Sequence, residues 1–400
     1  MIKSIYKKIF FCIASIYLLF IILFNGMNNK NILKVSIITI SYNEVDHIEQ
    51  TLLSVLNQDY DNIEYIVIDG GSTDGTVDII NKYKDRIAYF VSEKDKGIYN
   101  AMNKGLKHAT GDVVGIINAG DWYAADNVVS EAVGILSKNQ IDIVCAGHNV
   151  VKDDVFNTVM LKKSFSDMHC GMIAAHESHF IRKDIYDKFG FYDESFKIAA
   201  DYELLLRMYT SGAKFYAVNS VWVNFRAGGI SSTNHILCAE ESNYVMAKYI
   251  DKAPDKNLVE KKMQERLINA KFQTLYKEAP DTVLYILTQH SFCNAEKIVV
   301  WGCGVWGQKI YDLFNNFGLH IDYFIDSNEN NHGKLFNNIK IKSPSFLKEY
   351  KGVLFVAIIN HDEELHNTIE VFNSSLLSNT YFVSELKKDA AKLYDESDRG

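Results

Sequence analysis

From Val35 onward, two hydrophobic periods alternate along the chain. Val35–Ile40 is a short β-branched run of the kind that forms a buried strand. Between Asp46 and Asn57, Ile48, Leu52, Val55 and Leu56 recur at helical spacing. A strand at Ile63–Ile68, a helix at Gly75–Tyr83 and a strand at Ile87–Val91 come next. A helix striped by Ile98, Met102 and Leu106 then runs towards Gly111, and a strand occupies Asp112–Ile117. This order predicts a mostly parallel, doubly wound α/β sheet that receives ligands at its strand C-termini. Past Ile141 the order loosens, with strands near Val144 and Phe215 and a helix over Tyr202–Tyr209. Ile236–Ser291 is mostly helical, broken at Pro254 and Pro280. A second α/β unit opens at Lys297, with strands at Ile298–Val300, up to Asp326, at Val353–Ile359 and near Tyr381–Val383. The expected division is an apolar segment over 1–27, a first domain over 33–235, a helical connector over 236–292 and a C-terminal module over 296–386.

Composition narrows the classes. Of the 400 residues 48% are hydrophobic, enough for a sizeable core and too many for wholesale disorder. Lys and Arg number 42 against 50 Asp and Glu, and this balance argues against a dedicated nucleic-acid binder. Cys12, Cys145, Cys170, Cys238, Cys293 and Cys303 are scattered without a CxxC pair, as in a reducing compartment. Ile9–Phe24 is an apolar run preceded by Lys3, Lys7 and Lys8, and it reads either as a short signal-anchor or as a stretch ahead of a true start at Met27. It falls slightly short of the ~20 residues of a full span. Positive-inside logic would put the bulk of the chain outside, against the chemistry below, so a cytoplasmic protein, with association at the inner face of the membrane, is the expected location.

The chemistry-bearing residues cluster where strands of the first domain end. Ser41-Tyr42-Asn43-Glu44 follows the first strand and Asp69-Gly70-Gly71-Ser72-Thr73-Asp74-Gly75 the second. Asn118-Ala119-Gly120-Asp121-Trp122 follows the strand after the third helix, and Asp201 lies later, in IAADYE. A parallel sheet brings the first three clusters to one edge. Carboxylates and open glycine backbone there suit a nucleotide, and a further carboxylate suits a divalent cation on a diphosphate. Each has a plainer reading: Asp69 and Ser72 as caps of the helix at Gly75, Asp121 as a turn residue, Asp201 as the cap of its own helix. His176 and His179, with Cys170 nearby, lack a fourth ligand and a recognised zinc spacing.

The run Val35–Asn43, Gln58, Tyr60, EYIVIDGGSTDGT at Glu64–Thr76, SEKDKGIYNAMNKG at Ser92–Gly105, ATGD at Ala109–Asp112, the NAGDW cluster, AADYELLLR and FRAGGIS resembles, in order, family 2 glycosyltransferases with the GT-A fold. The resemblance covers about residues 33 to 235. It implies a GT-A nucleotide-sugar-binding domain that moves a hexose from a nucleotide-diphospho-sugar to a glycan or lipid-linked acceptor, with inversion, in surface polysaccharide biosynthesis. It implies Asp201 as catalytic base, Tyr42 against the base, and Asp69 at base and ribose. It implies Asp121 as ligand of a divalent cation, Mn2+ or Mg2+. Asn43, Glu44, Ser72, Asp74, Asp95, Gly97, Asn103 and Gly120 complete the expected donor site, with His176 at the acceptor and Gly228 and Gly229 in a loop closing over the diphosphate. Asn118 and Gly120 depart from the family, standing where many relatives keep carboxylates, and Gly70 replaces a second Asp.

Gly302, Gly304 and Gly307 follow a strand and open a helix, and Asp326 ends the next strand, as a dinucleotide fingerprint requires. This small Rossmann-like module reads as an NAD site, a nucleotide or nucleotide-sugar sensor, or a purely structural unit. A non-catalytic nucleotide-sugar-binding protein and an NAD-dependent enzyme are the alternative functions.

Overall fold

β-branched runs bounded by glycine and polar turns become strands because both faces of a parallel sheet are covered. In the computed structural model β1 (Val35–Ser41) is buried at all seven positions, and β2 (Ile63–Asp69) at its last five. The structure describes residues 32–397 apart from 139, 162–163, 280–282, 284–296, 317, 359–361, 375 and 377–379. The apolar run at 9–24, residues 1–27 as a whole, Cys12 and Cys293 therefore lie outside the described residues. No described helix is long and apolar enough to cross a membrane.

The chain divides into two units. The first runs through Ile230 and takes up Val245–Pro254 again; the second comprises Ser231–Tyr244 and the chain from Asp255. The expected boundary at 235 therefore misses a returning segment of the first unit.

In the first unit β3 (Tyr89–Ser92), β2, β1 and β4 (Val113–Asn118) pair in that order, all parallel. The sheet then turns mixed. β8 (His179–Arg182) lies antiparallel between β4 and β6 (Ile143–Lys152). β9 (Phe215–Arg226) runs parallel to β6, and β5 (Trp122–Tyr123) closes antiparallel on β9. β7 (Val155–Val159) pairs with β6 as an exposed hairpin arm. The mostly parallel sheet expected from the sequence thus holds for one half, because β5, β7 and β8 are short or exposed and carry no local apolar signal. Two elements are also shorter than expected: β3 starts at Tyr89, and the helix before β4 ends at His108.

Helix Ile98–His108 buries Tyr99, Met102 and Leu106 against the sheet. The approach needs Gly105: a Cβ there would lie 2.4 Å from Ile38 Cγ2. Helices Ile48–Leu56 and Val128–Leu136 supply Leu52, Val55, Val129 and Val133 to a core centred on Val35, Ile37, Val67, Phe180 and Trp222. Each such side chain, fully buried, contributes about 1.5–3 kcal/mol. Trp222 meets Phe180 edge-on at 5.6 Å and donates its indole N–H to Glu131 Oε2 at 2.8 Å, so its polar atom is satisfied.

Away from the strand C-termini, Glu64 ties β1, β2 and the turn before β4 together. Its carboxylate meets Lys34 Nζ and accepts from Ser36 Oγ and Thr110 Oγ1, each at 2.6 Å, and from the Thr110 N–H at 2.8 Å. Burial would raise its pKa, but these partners outweigh it and take the group down to about 2. The depressed value means that its stabilisation is fully present above the ordinary 4.5 and is lost as pH falls through about 2. Glu64→Gln is therefore expected to cost about 1–2 kcal/mol at pH 7 and almost nothing near the folded-state pKa, read from urea midpoints at the two pH values. Equal losses at both would overturn this account.

In the second unit, β13 (Ile339–Lys342), β11 (Tyr323–Ile325), β10 (Ile298–Trp301), β14 (Val353–Val356) and β15 (Thr380–Phe382) pair parallel in that order. β12 (Leu335–Phe336) is added antiparallel on β13. Helices Val305–Asn316 and Val383–Ser397 cover one face around Ile310, Phe314, Leu386 and Ala390, and Leu365 and Ile369 of helix Asp362–Asn373 belong to the other apolar cluster. Gly302 has φ +118, and a Cβ on Gly307 would lie 2.0 Å from the Gly302 carbonyl oxygen, so this turn closes only with glycine at 307.

Candidate active site

Parallel register places Ser41 beside Asp69, Asp69 beside Ser92, and Ile40 beside Asn118, so the loops after β1, β2, β3 and β4 leave one sheet edge. Asp69 organises that edge from within and is fully buried. Its Oδ1 accepts from Ser41 Oγ (2.9 Å) and Ser72 Oγ (2.5 Å). Its Oδ2 accepts from the N–H groups of Gly71 (3.0 Å) and Ser72 (2.9 Å) and from Ser92 Oγ (2.6 Å). Burial pushes its pKa up, and these five donors bring it below the ordinary range. A carboxylate so occupied shapes the loop on which the expected base and ribose contacts would be made.

Asn43, Ser72 and Asp74 are also spent on the loops. The Asn43 side-chain oxygen accepts from the Thr73 N–H at 2.9 Å, and the Asn43 backbone N–H donates to Ser72 Oγ at 2.8 Å. Asp74 accepts from the Thr76 N–H and hydroxyl and from the Val45 N–H. The helix at Thr76 is entered through Gly75 (φ +106) without a side-chain cap on that residue, so Asp69 and Ser72 do not cap it. Asn103 is buried on the same face of helix Ile98–His108 as Tyr99, where its amide holds Tyr192 and Glu194. Its expected place at the donor is corrected accordingly.

Tyr42 and Asp95 both lie against Gly70. A Cβ built on Gly70 would lie 3.3 Å from the Tyr42 ring and 3.3 Å from Asp95 Oδ2. The Tyr42 residue is 63% exposed and free to stack, and Lys104 holds Asp95 as an ion pair. Gly97, at φ +129, starts the helix that carries Lys104. Glu44 Oε2 lies 3.7 Å from the Cβ position of Gly120, joining the loop after β1 to the turn after β4.

A second group forms at the end of β4. Gly120 (φ +100) turns the chain so that Asp121 Oδ1 accepts the Arg226 N–H at 2.8 Å, and Gly228 (φ +119) and Gly229 follow directly after β9. Asp201 lies in the first turn of helix Ala200–Thr210, whose N-cap is Ala199, so the capping reading of Asp201 fails. Its carboxylate accepts from Tyr99 OH at 3.1 Å, and Oδ2 is 3.4 Å from His176 Nδ1. The same nitrogen is 3.4 Å from Glu177 Oε2, and Asn118 Nδ2 donates to Glu177 Oε1 at 2.8 Å.

The electrostatics follow from this packing. Burial would lower the His176 imidazole, but Glu177, Asp201 and Asp121 outweigh it and raise it to about 9. His176 in turn keeps Asp201 below the ordinary range against the effect of burial. Burial, then the charge of Glu177, push Asp121 well above its usual range. His179 faces inward, bonded to the Ala175 carbonyl, and burial lowers it to about 4. Among the described residues no group of three or more His, Cys, Asp or Glu is arranged to hold a metal ion. Glu177 and Tyr99 were missed in the sequence; Glu177 stood out there only as a carboxylate beside His176.

In the second unit Gly302, Gly304 and Gly307 form the turn after β10, with open space at Gly304. Asp326 follows β11 and accepts from the Asn328 N–H and Asn331 Nδ2, and is thus partly spent on its own loop.

Similarity to known proteins agrees with this arrangement. The family model for glycosyl transferase family 2 matches residues 36–200. An uncharacterised glycosyltransferase of Mycobacterium tuberculosis is 36% identical over 182 residues, 43% of this chain and 68% of that protein. The Escherichia coli UDP-Glc:alpha-D-GlcNAc-diphosphoundecaprenol beta-1,3-glucosyltransferase WfaP is 31% identical over 214 residues, 52% of this chain and 84% of that protein. The chain belongs to glycosyl transferase family 2, and nucleotide-sugar glycosyl transfer in polysaccharide biosynthesis is the activity this membership supports.

Proposed function

We propose that the first unit is a GT-A hexosyltransferase that passes a sugar from a nucleotide-diphospho-sugar to a glycan or lipid-linked acceptor with inversion. The observation that carries it is the gathering of Asp201, His176 and Asp121 at the end of β4, from three separate stretches of sequence. Tyr42 and Asp95 beside Gly70 supply the base pocket. Asp201, ionised and exposed on one side, takes the proton of the acceptor hydroxyl as it attacks the anomeric carbon. His176 and Tyr99 hold that carboxylate in place. The lipid-linked acceptor is supported by WfaP, whose named acceptor is a diphosphoundecaprenol. An acceptor of that kind supports association with the inner face of the membrane.

The donor set at Asp121 fits a hard divalent cation. Its Oδ1 is taken by a backbone N–H, and beside it Glu177 Oε2, inside the protein, accepts no hydrogen bond. Asp121 would hold Mn2+ or Mg2+, and such an ion, when bound, neutralises the departing diphosphate. For the second unit, the parallel order β13-β11-β10-β14-β15 and its glycine turn support a Rossmann-like module that stands apart from transfer.

The test is nucleoside diphosphate release from a panel of UDP- and GDP-sugars, with Mn2+ and with EDTA, alongside melting curves. A true donor at 100 times its dissociation constant adds ~2.7 kcal/mol of stability. EDTA is expected to abolish release. Release indifferent to chelation would remove the cation, and a panel without any stabilising donor would remove the donor reading.

A further inference from the structure

We infer that Glu177 is the second carboxylate of the cation site, standing in for the carboxylates that positions 118 and 120 lack. The inference rests on the proposed cation at Asp121. Glu177 is 1% exposed, and its Oε2 takes no hydrogen bond, with His176 Nδ1 at ion-pair distance, 3.4 Å away. The Oδ1 of Asn118, whose amide nitrogen donates to Glu177 Oε1, is likewise buried without a partner. Acceptors inside a protein are nearly always satisfied, and two unsatisfied ones on adjoining side chains mark a missing electrophile.

Charge points the same way. Glu177 Oε1 holds the Asn118 amide at 2.8 Å and the Asp121 N–H donates to the Asn118 carbonyl at 3.1 Å, so both carboxyls attach to one residue, and His176 contacts both Glu177 and Asp201. Three carboxyl groups share one imidazolium there, and Glu177 and Asp201 both lean on it at 3.4 Å. Arg226, the nearest guanidinium, is turned away: its Nε donates to the Gly120 carbonyl, an NH2 to Gln50, and its plane lies on Trp122. Two carboxylate oxygens and an amide oxygen are the ligands that a hard divalent ion prefers, and such an ion offsets the charge that two adjoining carboxylates would otherwise bury together. The Asn118-Ala119-Gly120-Asp121 turn thus provides one carboxylate from the loop after β4, and the segment before β8 provides the other.

The test uses the full chain and Mn2+ alone, with the free ion followed by electron paramagnetic resonance, and repeats the titration with UDP. Glu177→Gln keeps the shape and the acceptor for Asn118, and is expected to weaken Mn2+ binding tenfold or more in both titrations. Its folding is checked by circular dichroism. Should it fail to fold, Glu177→Asp, which retains charge but withdraws the oxygens, is expected to weaken binding several-fold. Wild-type affinity in a folded Glu177 variant, combined with loss in Asp121→Asn, overturns the role of Glu177 and leaves the cation at Asp121 standing. A wild type that binds no Mn2+ with or without UDP overturns the cation reading itself.

Discussion

Asp201→Asn is expected to lower sugar transfer by ~10²-fold or more while donor affinity stays within a factor of a few, the scale of losing a general base. The substitution preserves volume and leaves an acceptor for Tyr99 OH, which sits 3.1 Å from Oδ1. What it removes is basicity and the charge that faces His176. Because His176 holds Asp201 below the ordinary carboxylate range, the base is already ionised at assay pH and the loss is not masked by protonation. The fall should appear in kcat, since a general base acts on the acceptor proton in the transition state rather than on the bound donor. A folded Asp201→Asn enzyme with wild-type kcat would remove Asp201 from catalysis.

Asp69→Ala is expected to destabilise the first unit by about 3–5 kcal/mol, the range for breaking a buried charged network. Three hydroxyls and two N–H groups now converge on its two oxygens, and the residue is wholly inside the protein. Alanine would leave these donors facing a void. The Gly70–Gly75 loop would slacken, and with it the juxtaposition of Tyr42, Gly70 and Asp95, so the donor KM should rise even where the variant is still folded. Urea unfolding measures the first effect and donor titration the second. A loss under about 1 kcal/mol would show that the loop holds its shape without the carboxylate.

The contrast between Asp69 and Asp201 shows where the sequence was readable. Both residue types and both places at strand or helix ends could be seen in it, and so could the parallel core of β1, β2, β3 and β4, whose apolar runs are a local signal. The direction in which a carboxylate points was not visible. Asp69 turns to Ser41 and Ser92 on neighbouring strands, Asn103 turns to Tyr192, and only the folded chain supplies those partners. β8 escaped for a related reason: four residues, inserted between β4 and β6 out of chain order, have no periodicity of their own. Glu177 precedes that strand closely and was hidden with it.

The returning segment Val245–Pro254 bears on how the protein is born. Glu203, 1% exposed on helix Ala200–Thr210, is held by Arg207 nearby and, at 2.7 Å each, by Lys248 Nζ and Tyr249 OH. Its last two partners are translated well after β9 ends at Arg226. At ~5–20 residues per second a nascent chain spends about 1–5 s with every strand of the transferase sheet made and this carboxylate still half-matched. The first unit therefore acquires the last partners of Glu203 only once the chain has passed through Ser231–Tyr244 of the second unit and come back.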